Sequence, residues 1–396
     1  MLSAYRARLL FPVSAPPIRD GVVVVDGARV VAVGPAAVVL PAYERARLIE
    51  LGNGALLPAA VNAHTHLELT GLAGRIPEGL ELIEWIVALV RARGAYGPAD
   101  FARAAAEGAR RARAAGTAAI GEISTYGESP LPVIESGLRG IVYYELLGAD
   151  PSAAPSLLAR GQAQIARWRA EYGEEQVRFG LSLHSPYTVS AALFRLTAAW
   201  CAEAEVPLCI HVAESPAETE WLRTQDGPIT ERIYRPLGLP LDPDGPPACS
   251  PVAYLERLGV LAVRPLLAHG VQVDAGDVAC LAAAGAPLAH CPRSNARLRC
   301  GRMPYALYRE AGVRLALGTD SLASAPSLSI WDEVAAASAL HAAAGEAIAP
   351  ADLLRLATLD GARALGLAGD LGSLAAGKYA EMALLPLEAL PEDERE

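Results

Sequence analysis

Lysine is nearly absent from this sequence of 396 residues, and arginine supplies almost all of its positive charge. The one lysine is Lys378, near the C-terminus. Acidic residues outnumber basic ones, and the formal net charge is −10. Because binding to phosphate backbones depends on clustered cations that release counterions, this charge balance argues against nucleic acid as a partner.

Long apolar runs are missing as well. Charged residues interrupt each apolar stretch before it reaches the roughly 18 residues that predict a membrane span. The apolar patch in MLSAYRARLLFPVSAPP is too short for a signal sequence, and the six cysteines are scattered with none in a C-x-x-C motif. Such cysteine usage fits a reducing compartment better than a disulfide framework. We therefore expect a cytoplasmic protein without a membrane span.

From about Leu56 onward, short apolar stretches alternate with helical stretches rich in alanine, leucine and arginine. The eight candidate strands are ALLPAAVNAH, TAAIGEIS, RGIVYYELLG, VRFGLSLH, VPLCIHVAE, RPLLAHG, APLAHCP and VRLALGTDS. Eight such units are typical of a (β/α)8 TIM barrel, in which functional groups lie at the C-terminal ends of the strands.

Both ends of the chain depart from this alternation of strands and helices. The stretch GVVVVDGARVVAVG places Asp26 and Gly27 between two β-branched runs, which predicts a hairpin, and the tail carries one short apolar strand. We therefore predict an α/β protein with a TIM barrel over residues 58–365. A small β-sandwich domain is predicted from residues 1–57 and 366–396 together. Residues 223–251, rich in Pro, Gly and Asp, are predicted to form a loop that covers the site.

Histidines concentrate at the predicted strand ends. Six of the seven lie there, and the exception is His341, in the helical stretch SALHAAAGEA; the six are His64, His66, His184, His211, His269 and His290. His64 and His66 are two residues apart, so both rings project from one face of a strand. Together with His211, His269 and Asp320 they could bind one divalent cation, and imidazole with carboxylate suits zinc or iron. An H-x-H pair alone is weak evidence, because both rings could simply be hydrogen-bonded.

Five motifs carry a resemblance to a known family: VNAHTHLEL, HVAESPAE, LAHG, LAHCPRSNARL and LALGTDSLAS. In this order and at these strand positions, the chain resembles the amidohydrolase superfamily. Within it, the chain resembles the mononuclear branch that includes cytosine, guanine, adenosine and S-adenosylhomocysteine deaminases and triazine chlorohydrolases. The resemblance implies one divalent metal, zinc or alternatively iron, on four ligands: His64, His66, His211 and Asp320.

The same resemblance implies that Glu214 is the proton shuttle and that His269 polarises the hydroxide or the substrate. Deamination of an aromatic ring needs protons on a ring nitrogen and on the departing amine, and one mobile carboxyl can deliver both. Asp320 can take the remaining proton from the attacking hydroxide. The alternative for Glu214 is a charge at a helix N-terminus. Dinuclear relatives use a carboxylated lysine on strand four, where this chain has none, although a bridging glutamate remains an alternative.

For the substrate, the resemblance implies a purine-nucleoside-like small molecule contacted by His184 and Ser324. Trp85 is either a stacking wall or a core residue. HTHLEL, HCPRSN and GTDSLAS occur together in 6-aminodeoxyfutalosine deaminases of menaquinone biosynthesis, the group the chain resembles most. That substrate carries a benzoate, and three arginines are candidates for binding it: Arg75, Arg293 and Arg297.

Several alternatives stay open. Another deaminase, a chlorohydrolase, an amide or formimino hydrolase, and a non-catalytic ligand-binding barrel are all compatible with the sequence. His290, Cys291 and Asn295 are interpreted as residues that shape the loop after strand seven. A homo-oligomer is compatible with the sequence but is not indicated by it.

Overall fold

The structure of the protein is a computed structural model that describes residues 2–241 and 246–387. Its strands are β1 (Leu2–Leu10), β2 (Ile18–Asp26), β3 (Arg29–Pro35), β4 (Arg47–Glu50), β5 (Gly54–Pro58), β6 (Ala60–Thr65), β7 (Thr117–Ser124), β8 (Arg139–Leu146), β9 (Val177–Leu183), β10 (Leu208–Val212), β11 (Leu266–His269), β12 (Leu288–His290), β13 (Leu315–Leu317) and β14 (Met382–Pro386).

The α-helices are α1 (Ala36–Val39), α2 (Leu82–Arg93), α3 (Pro98–Ala114), α4 (Pro130–Glu135), α5 (Ala154–Tyr172), α6 (Ala191–Ala204), α7 (Pro216–Thr224), α8 (Arg235–Leu237), α9 (Pro251–Arg257), α10 (Ala275–Ala284), α11 (Pro292–Arg297), α12 (Tyr305–Glu310), α13 (Ile330–Ala343), α14 (Pro350–Ala357) and α15 (Leu359–Ala364). Short 3₁₀ segments cover Leu40–Tyr43, Leu67–Leu72, Pro151–Ala153 and Val260–Val263, and a π-helical turn covers Thr230–Tyr234.

Strands β6 to β13 form one parallel sheet in which each strand pairs with the next in the chain. The sheet curls until its last strand meets its first. There, Thr65 and Asp320 form an isolated parallel bridge, and the Asp320 N–H donates to the His64 carbonyl at 3.1 Å. The predicted (β/α)8 barrel is confirmed, and the carboxyl ends of all eight strands face one mouth.

The small sheet contains strands from both ends of the chain, in the order β14-β5-β1-β2-β3, with β4 also paired to β1. The predicted small β-domain from both termini is thereby confirmed, and the predicted hairpin has Gly27 at φ 57° in its turn. We expected a sandwich; the six strands form one sheet with an apolar cluster on each face, as alternate residues of β2 point in opposite directions. Residues 388–396 of the predicted C-terminal part lie outside the described residues.

One predicted strand is divided in the structure. The sequence predicts a single strand over residues 55–64, but β5 pairs with β14 in the small sheet and β6 pairs with β7 in the barrel. The switch occurs between adjacent residues, since the Ala59 N–H donates to Glu381 and the Ala60 N–H donates to Gly116, both at 2.9 Å. Both strands are buried along their whole length, and a continuous apolar run does not reveal such a change of sheet.

Capped helices follow three of the barrel strands closely. The side chains of Ser190, Ser215 and Asp274 accept hydrogen bonds from backbone N–H groups in the first turns of α6, α7 and α10. Such caps satisfy donors that a helix start otherwise leaves unpaired. The loops after β9, β10 and β11 are therefore short and anchored, which fixes the side chains they carry at the barrel mouth. Across residues 2–241 and 246–387, every helix is too short or too polar to cross a bilayer.

Candidate metal centre and active site

Four side chains predicted to bind metal meet at the barrel mouth. His64 lies in β6, His66 follows it directly, His211 lies in β10, and Asp320 follows β13. The Nε2 atoms of His66 and His211 are 3.2 Å apart, and Asp320 Oδ1 lies 3.5 Å from His66 Nε2 and 3.9 Å from His64 Nε2. All four residues are buried. The structure thus brings together residues from the first, fifth and last strands of the barrel.

The protonation state of these imidazole rings is the one that binding a cation requires. Both ring nitrogens of His64 are buried without a hydrogen-bond partner in the described chain. An unpaired buried polar atom costs free energy, and a ligand bound beside the ring would offset that cost. His211 Nδ1 lies 2.7 Å from the His184 carbonyl oxygen, which only accepts, so Nδ1 carries the proton and Nε2 is bare. Burial lowers the pKa of His64, His66 and His211, which keeps them in the neutral form that binds metals.

Asp320 is oriented by two hydroxyl groups. Its Oδ2 accepts from Ser294 at 2.5 Å and from Ser324 at 2.8 Å, which leaves Oδ1 facing the histidines. Burial acts to raise the pKa of Asp320, but the neighbouring histidine rings and the Ser294 hydroxyl bring it down to about 2, so the group is a carboxylate. Ser324 is fully buried and does not line the cavity in front of the site. The structure places the Ser324 hydroxyl against Asp320, and its predicted contact with the substrate stays a prediction.

Three residues at the site adopt backbone conformations that are uncommon without glycine. The φ angles of Ala213, His269 and Asp320 are 52°, 76° and 55°. Such conformations cost of order 1–3 kcal/mol each and persist where the surroundings hold them, often at functional sites. At Ala213 the surroundings are evident, because its N–H and carbonyl groups are both hydrogen-bonded. The strain turns the chain sharply just after β10, where Glu214 follows.

Glu214 is buried beside His269, with 3.6 Å between its Oε1 and the His269 Nε2. Its backbone N–H donates to Glu218 at 2.8 Å, which fixes the loop that carries it. Burial raises the pKa of Glu214 to about 7, although His269 opposes this. His269 Nδ1 lies 2.9 Å from Asn295 Oδ1, which accepts a hydrogen bond from the Nδ1–H group. This contact turns His269 Nε2 toward Glu214. The sequence analysis interprets Asn295 only as a residue that shapes the loop after strand seven, and it does not identify Glu218.

In front of these groups lies a cavity of about 710 Å³. His184 lines it, as predicted, with Nδ1 2.7 Å from the Thr188 hydroxyl. Burial, assisted by the charge of Arg93, lowers the pKa of His184 to about 4, so the ring is neutral. Trp85 also lines the cavity, while its Nε1 donates to the Ala323 carbonyl at 3.2 Å and its ring packs in an apolar cluster. Trp85 therefore borders the cavity and is also part of an apolar cluster.

The three arginines predicted to bind a substrate carboxylate do not line the cavity. Arg293 is held by Glu333 at 2.7 Å, Arg297 is paired with Glu78 at 3.1 Å, and Arg75 lies over the ring of Tyr96. These positions correct the expectation that one of the three arginines binds a substrate carboxylate. Each arginine contacts another part of the protein, and sequence spacing carries no information about which way a loop side chain turns.

The cavity is instead lined by three other arginines, Arg91, Arg93 and Arg232. Arg91 and Arg93 lie in the last turn of α2, and Arg232 lies in the π-helical turn, where it pairs with Glu84 at 3.0 Å. Residues 231–239 form one wall of the cavity mouth, as predicted for the covering segment. Residues 242–245 of that segment lie outside the described part of the chain.

His290 ends β12, but its ring lies outside the cluster. Its Nε2 is 3.4 Å from Nε2 of His341, the histidine in α13, and it does not line the cavity. Behind His66, two buried carboxylates hold the chain: Glu122 accepts from the Leu67 N–H, and Glu68 accepts from Ser124 and from two backbone N–H groups. These second-layer contacts fix the loop after β6 and were not predicted.

A family model described as the amidohydrolase family matches residues 55–395. The chain belongs to this family. An aminodeoxyfutalosine deaminase of Deinococcus radiodurans is 36% identical to this amidohydrolase over 324 residues, which cover 80% of the chain and 75% of that protein. A 5-methylthioadenosine/S-adenosylhomocysteine deaminase of Nitratidesulfovibrio vulgaris is 31% identical over 378 residues, covering 94% and 80%.

Among solved structures, an adenosine deaminase from Xanthomonas campestris with bound zinc superposes on the amidohydrolase with a TM-score of 0.81. It is 27% identical, and the match covers 98% of this chain and 85% of that one. With its family and its deaminase relatives established, this amidohydrolase is a hydrolytic deaminase.

Proposed function

We propose that this amidohydrolase is a zinc-dependent deaminase that converts 6-aminodeoxyfutalosine to futalosine and ammonia in menaquinone biosynthesis. The Deinococcus relative is described as an aminodeoxyfutalosine deaminase, and other relatives are described as deaminases of 5-methylthioadenosine and S-adenosylhomocysteine or of 5'-deoxyadenosine. We further propose that His64, His66, His211 and Asp320 hold the metal. Iron is the second candidate for this donor set, because imidazole and carboxylate accept either ion.

The observation that carries the substrate proposal is the set of side chains that line the cavity. The histidines, Glu214 and Asp320 line it together with apolar side chains, of which Val90 and Leu237 are exposed. The three cavity arginines line the same cavity, and the charge of Arg93 acts on His184 and Glu145. A purine beside the histidines would leave an aryl carboxylate in a cavity that offers both apolar surface and guanidinium groups.

The protein's groups account for the proton transfers. A divalent ion held by the four ligands would lower the pKa of water, so that hydroxide would be available at neutral pH. Glu214, with a pKa of about 7, can take one proton from the water and deliver it to the ring nitrogen. Asp320 would take the second proton of the water during addition, and Glu214 would pass this proton to the departing amine, so that one water supplies both protons. His269 holds Glu214 in place.

A methylthioadenosine or S-adenosylhomocysteine deaminase is the second candidate. S-adenosylhomocysteine, unlike methylthioadenosine, has an amino-acid tail with an ammonium group, and Glu231, which lines the cavity, could accept a hydrogen bond from it. Steady-state ammonia release should be compared for 6-aminodeoxyfutalosine, adenosine and S-adenosylhomocysteine. The proposal expects the highest kcat/KM for the first compound. A preference for either of the others would refute it, and chloride release from a chlorinated triazine without any ammonia release would refute the deaminase reaction itself.

Two substitutions distinguish the proposed role of Glu214 in proton transfer from the proposed role of His211 in metal binding. Glu214→Gln keeps the size of the side chain and removes its proton affinity, so turnover should fall by more than about 100-fold with metal content unchanged. His211→Ala should lose the metal as well as the activity. Metal content is measured by elemental analysis of purified protein, and a Glu214→Gln variant with a near-normal rate would remove Glu214 from the mechanism.

A further inference from the structure

Glu145 is a buried carboxylate that the mechanism above does not use. It lies near the end of β8, where Ile141, Tyr143 and Glu145 alternate with residues that face the outer helices. Ile141 and Tyr143 fill the barrel interior, so Glu145 is the next inward side chain toward the mouth. It lines the same cavity as the histidines and is 4% exposed.

Only one of its two oxygens is satisfied. The Thr125 hydroxyl donates to Oε2 at 2.7 Å, while Oε1 is buried without a hydrogen-bond partner in the described residues. A buried carboxylate oxygen left unpaired costs free energy that a merely structural residue would not be expected to retain. The free oxygen therefore points to a ligand that supplies a donor.

The position of Glu145 restricts which donor it meets. One carboxylate oxygen of Glu145 and ring nitrogens of His184 and His211 lie within 4.8 Å of one another, so the carboxyl group lies beside His184 and beside a proposed metal ligand. Arg93 is the neighbouring cation, and its charge acts on both Glu145 and His184. The donors of an adenine nucleoside are its 6-amino group, which leaves during the reaction, and the hydroxyl groups of its sugar, which stay in place.

The same three residues could be interpreted as a second metal site, but His211 opposes that interpretation. Its Nδ1 donates to the His184 carbonyl, and its Nε2 faces His66 Nε2 at 3.2 Å, so no nitrogen is left for another ion. We infer that Glu145 is a specificity residue of the proposed nucleoside deaminase, accepting a hydrogen bond from a ribose hydroxyl at Oε1. This inference rests on the proposed function and adds the sugar as a recognised part of the substrate.

The test compares the full-length, metal-loaded enzyme with Glu145→Ala and Glu145→Gln, on adenosine and on its 2′-deoxy and 3′-deoxy analogues. For a hydrogen bond to a charged group, Glu145→Ala should lower kcat/KM on the ribonucleoside by roughly 10- to 100-fold, mainly through KM. On the analogue that lacks the bonded hydroxyl, the loss should be less than about threefold. Glu145→Gln keeps an acceptor oxygen and should recover part of the loss.

Glu135→Gln, an exposed glutamate in α4, is the matched control and should leave every constant unchanged. Equal losses on all three nucleosides, or a loss confined to kcat, would overturn the inference while leaving the proposed function intact. Metal content of the Glu145 variants should equal that of the wild type, and a fall in metal content would assign Glu145 to the metal instead. If the wild type releases ammonia neither from 6-aminodeoxyfutalosine nor from any of these nucleosides, the proposed function fails and this inference fails with it.

Discussion

At the scale of single residues, hydroxyl and backbone groups decide which oxygen of Asp320 is available. Ser294 and Ser324 occupy Oδ2, so only Oδ1 points at the histidines. Groups that orient a metal ligand in this way contribute to affinity without touching the metal. The sequence motif predicts that Ser324 matters, but the assignment of its role depends on which way the side chain turns in the folded loop.

Ser324→Ala should therefore weaken metal binding by roughly 10- to 100-fold and lower kcat, with KM nearly unchanged. Affinity is measured by competition with a chelator, and KM by ammonia release. Ser373→Ala is the control, because Ser373 is buried and its hydroxyl has no partner in the described chain. A raised KM with normal metal affinity would instead support the predicted substrate contact.

Glu218, which contacts the loop of Glu214, should make the free energy of unfolding depend on pH. Its oxygens accept the N–H groups of Ala213 and Glu214, and burial raises its pKa to about 8 from an ordinary 4.5. The folded state thus holds this proton more tightly than the unfolded state. The stabilising contribution is complete below about pH 4.5 and is lost as the pH rises through 8.

Between pH 5 and 8, the free energy of unfolding of wild type should decline more steeply than that of Glu218→Gln, by up to about 1.4 kcal/mol per pH unit. The substitution also leaves one N–H without its acceptor, so the variant should be less stable than wild type by about 1–3 kcal/mol near pH 5, and this difference should shrink or reverse as the pH approaches 8. Urea unfolding at several pH values measures both effects. Glu220→Gln, exposed on the same helix, should keep the wild-type slope; identical slopes for wild type and Glu218→Gln would refute the linkage.

At the scale of elements, the strand ends were predictable and the side-chain environment between elements was not. TAAIGEIS coincides with β7, because β-branched residues run between a helix end and polar residues. The division of residues 55–64 left no periodic signal, since both halves are fully buried. The cavity arginines depend on how α2 and the π-helical turn pack, which is a contact between distant segments. Glu145 offered a signal that sequence reasoning passed over, a lone charge within the apolar run YYELL.

The seam between β6 and β13 offers a prediction at this scale. Gly318 lies so close to His64 that an added Cβ would be 2.8 Å from the His64 Cβ and 3.0 Å from its carbonyl oxygen. Gly318→Ala should therefore displace His64, lowering the free energy of unfolding by about 1–3 kcal/mol and weakening metal binding. Thermal unfolding with and without added zinc measures both. Gly369→Ala meets nothing within 4 Å and should change neither, whereas equal effects of the two substitutions would contradict the close approach.

At the scale of the whole molecule, the proposed metal ligands lie on both sides of the place where the barrel closes. The β6–β13 seam has an isolated bridge and the Asp320 to His64 backbone bond, whereas each of the other neighbouring pairs of barrel strands forms a ladder of two or more paired residues. His64 and His66 lie on one side of this seam and Asp320 lies on the other. A cation bound by all three would cross-link the first and last strands, so it would stabilise the closed barrel as well as enable the reaction.

Removing the metal with a chelator should therefore open the seam before it affects the rest of the molecule. Hydrogen exchange should increase most in residues 60–66 and 315–322, and the melting temperature should fall and recover when zinc is restored. Strands β2 and β3 of the small sheet serve as the internal control, because they contain none of the ligands and should exchange at the same rate in both forms. A uniform increase throughout the chain would mean that the metal stabilises the fold globally, and no change at the seam would mean that the barrel closes without it.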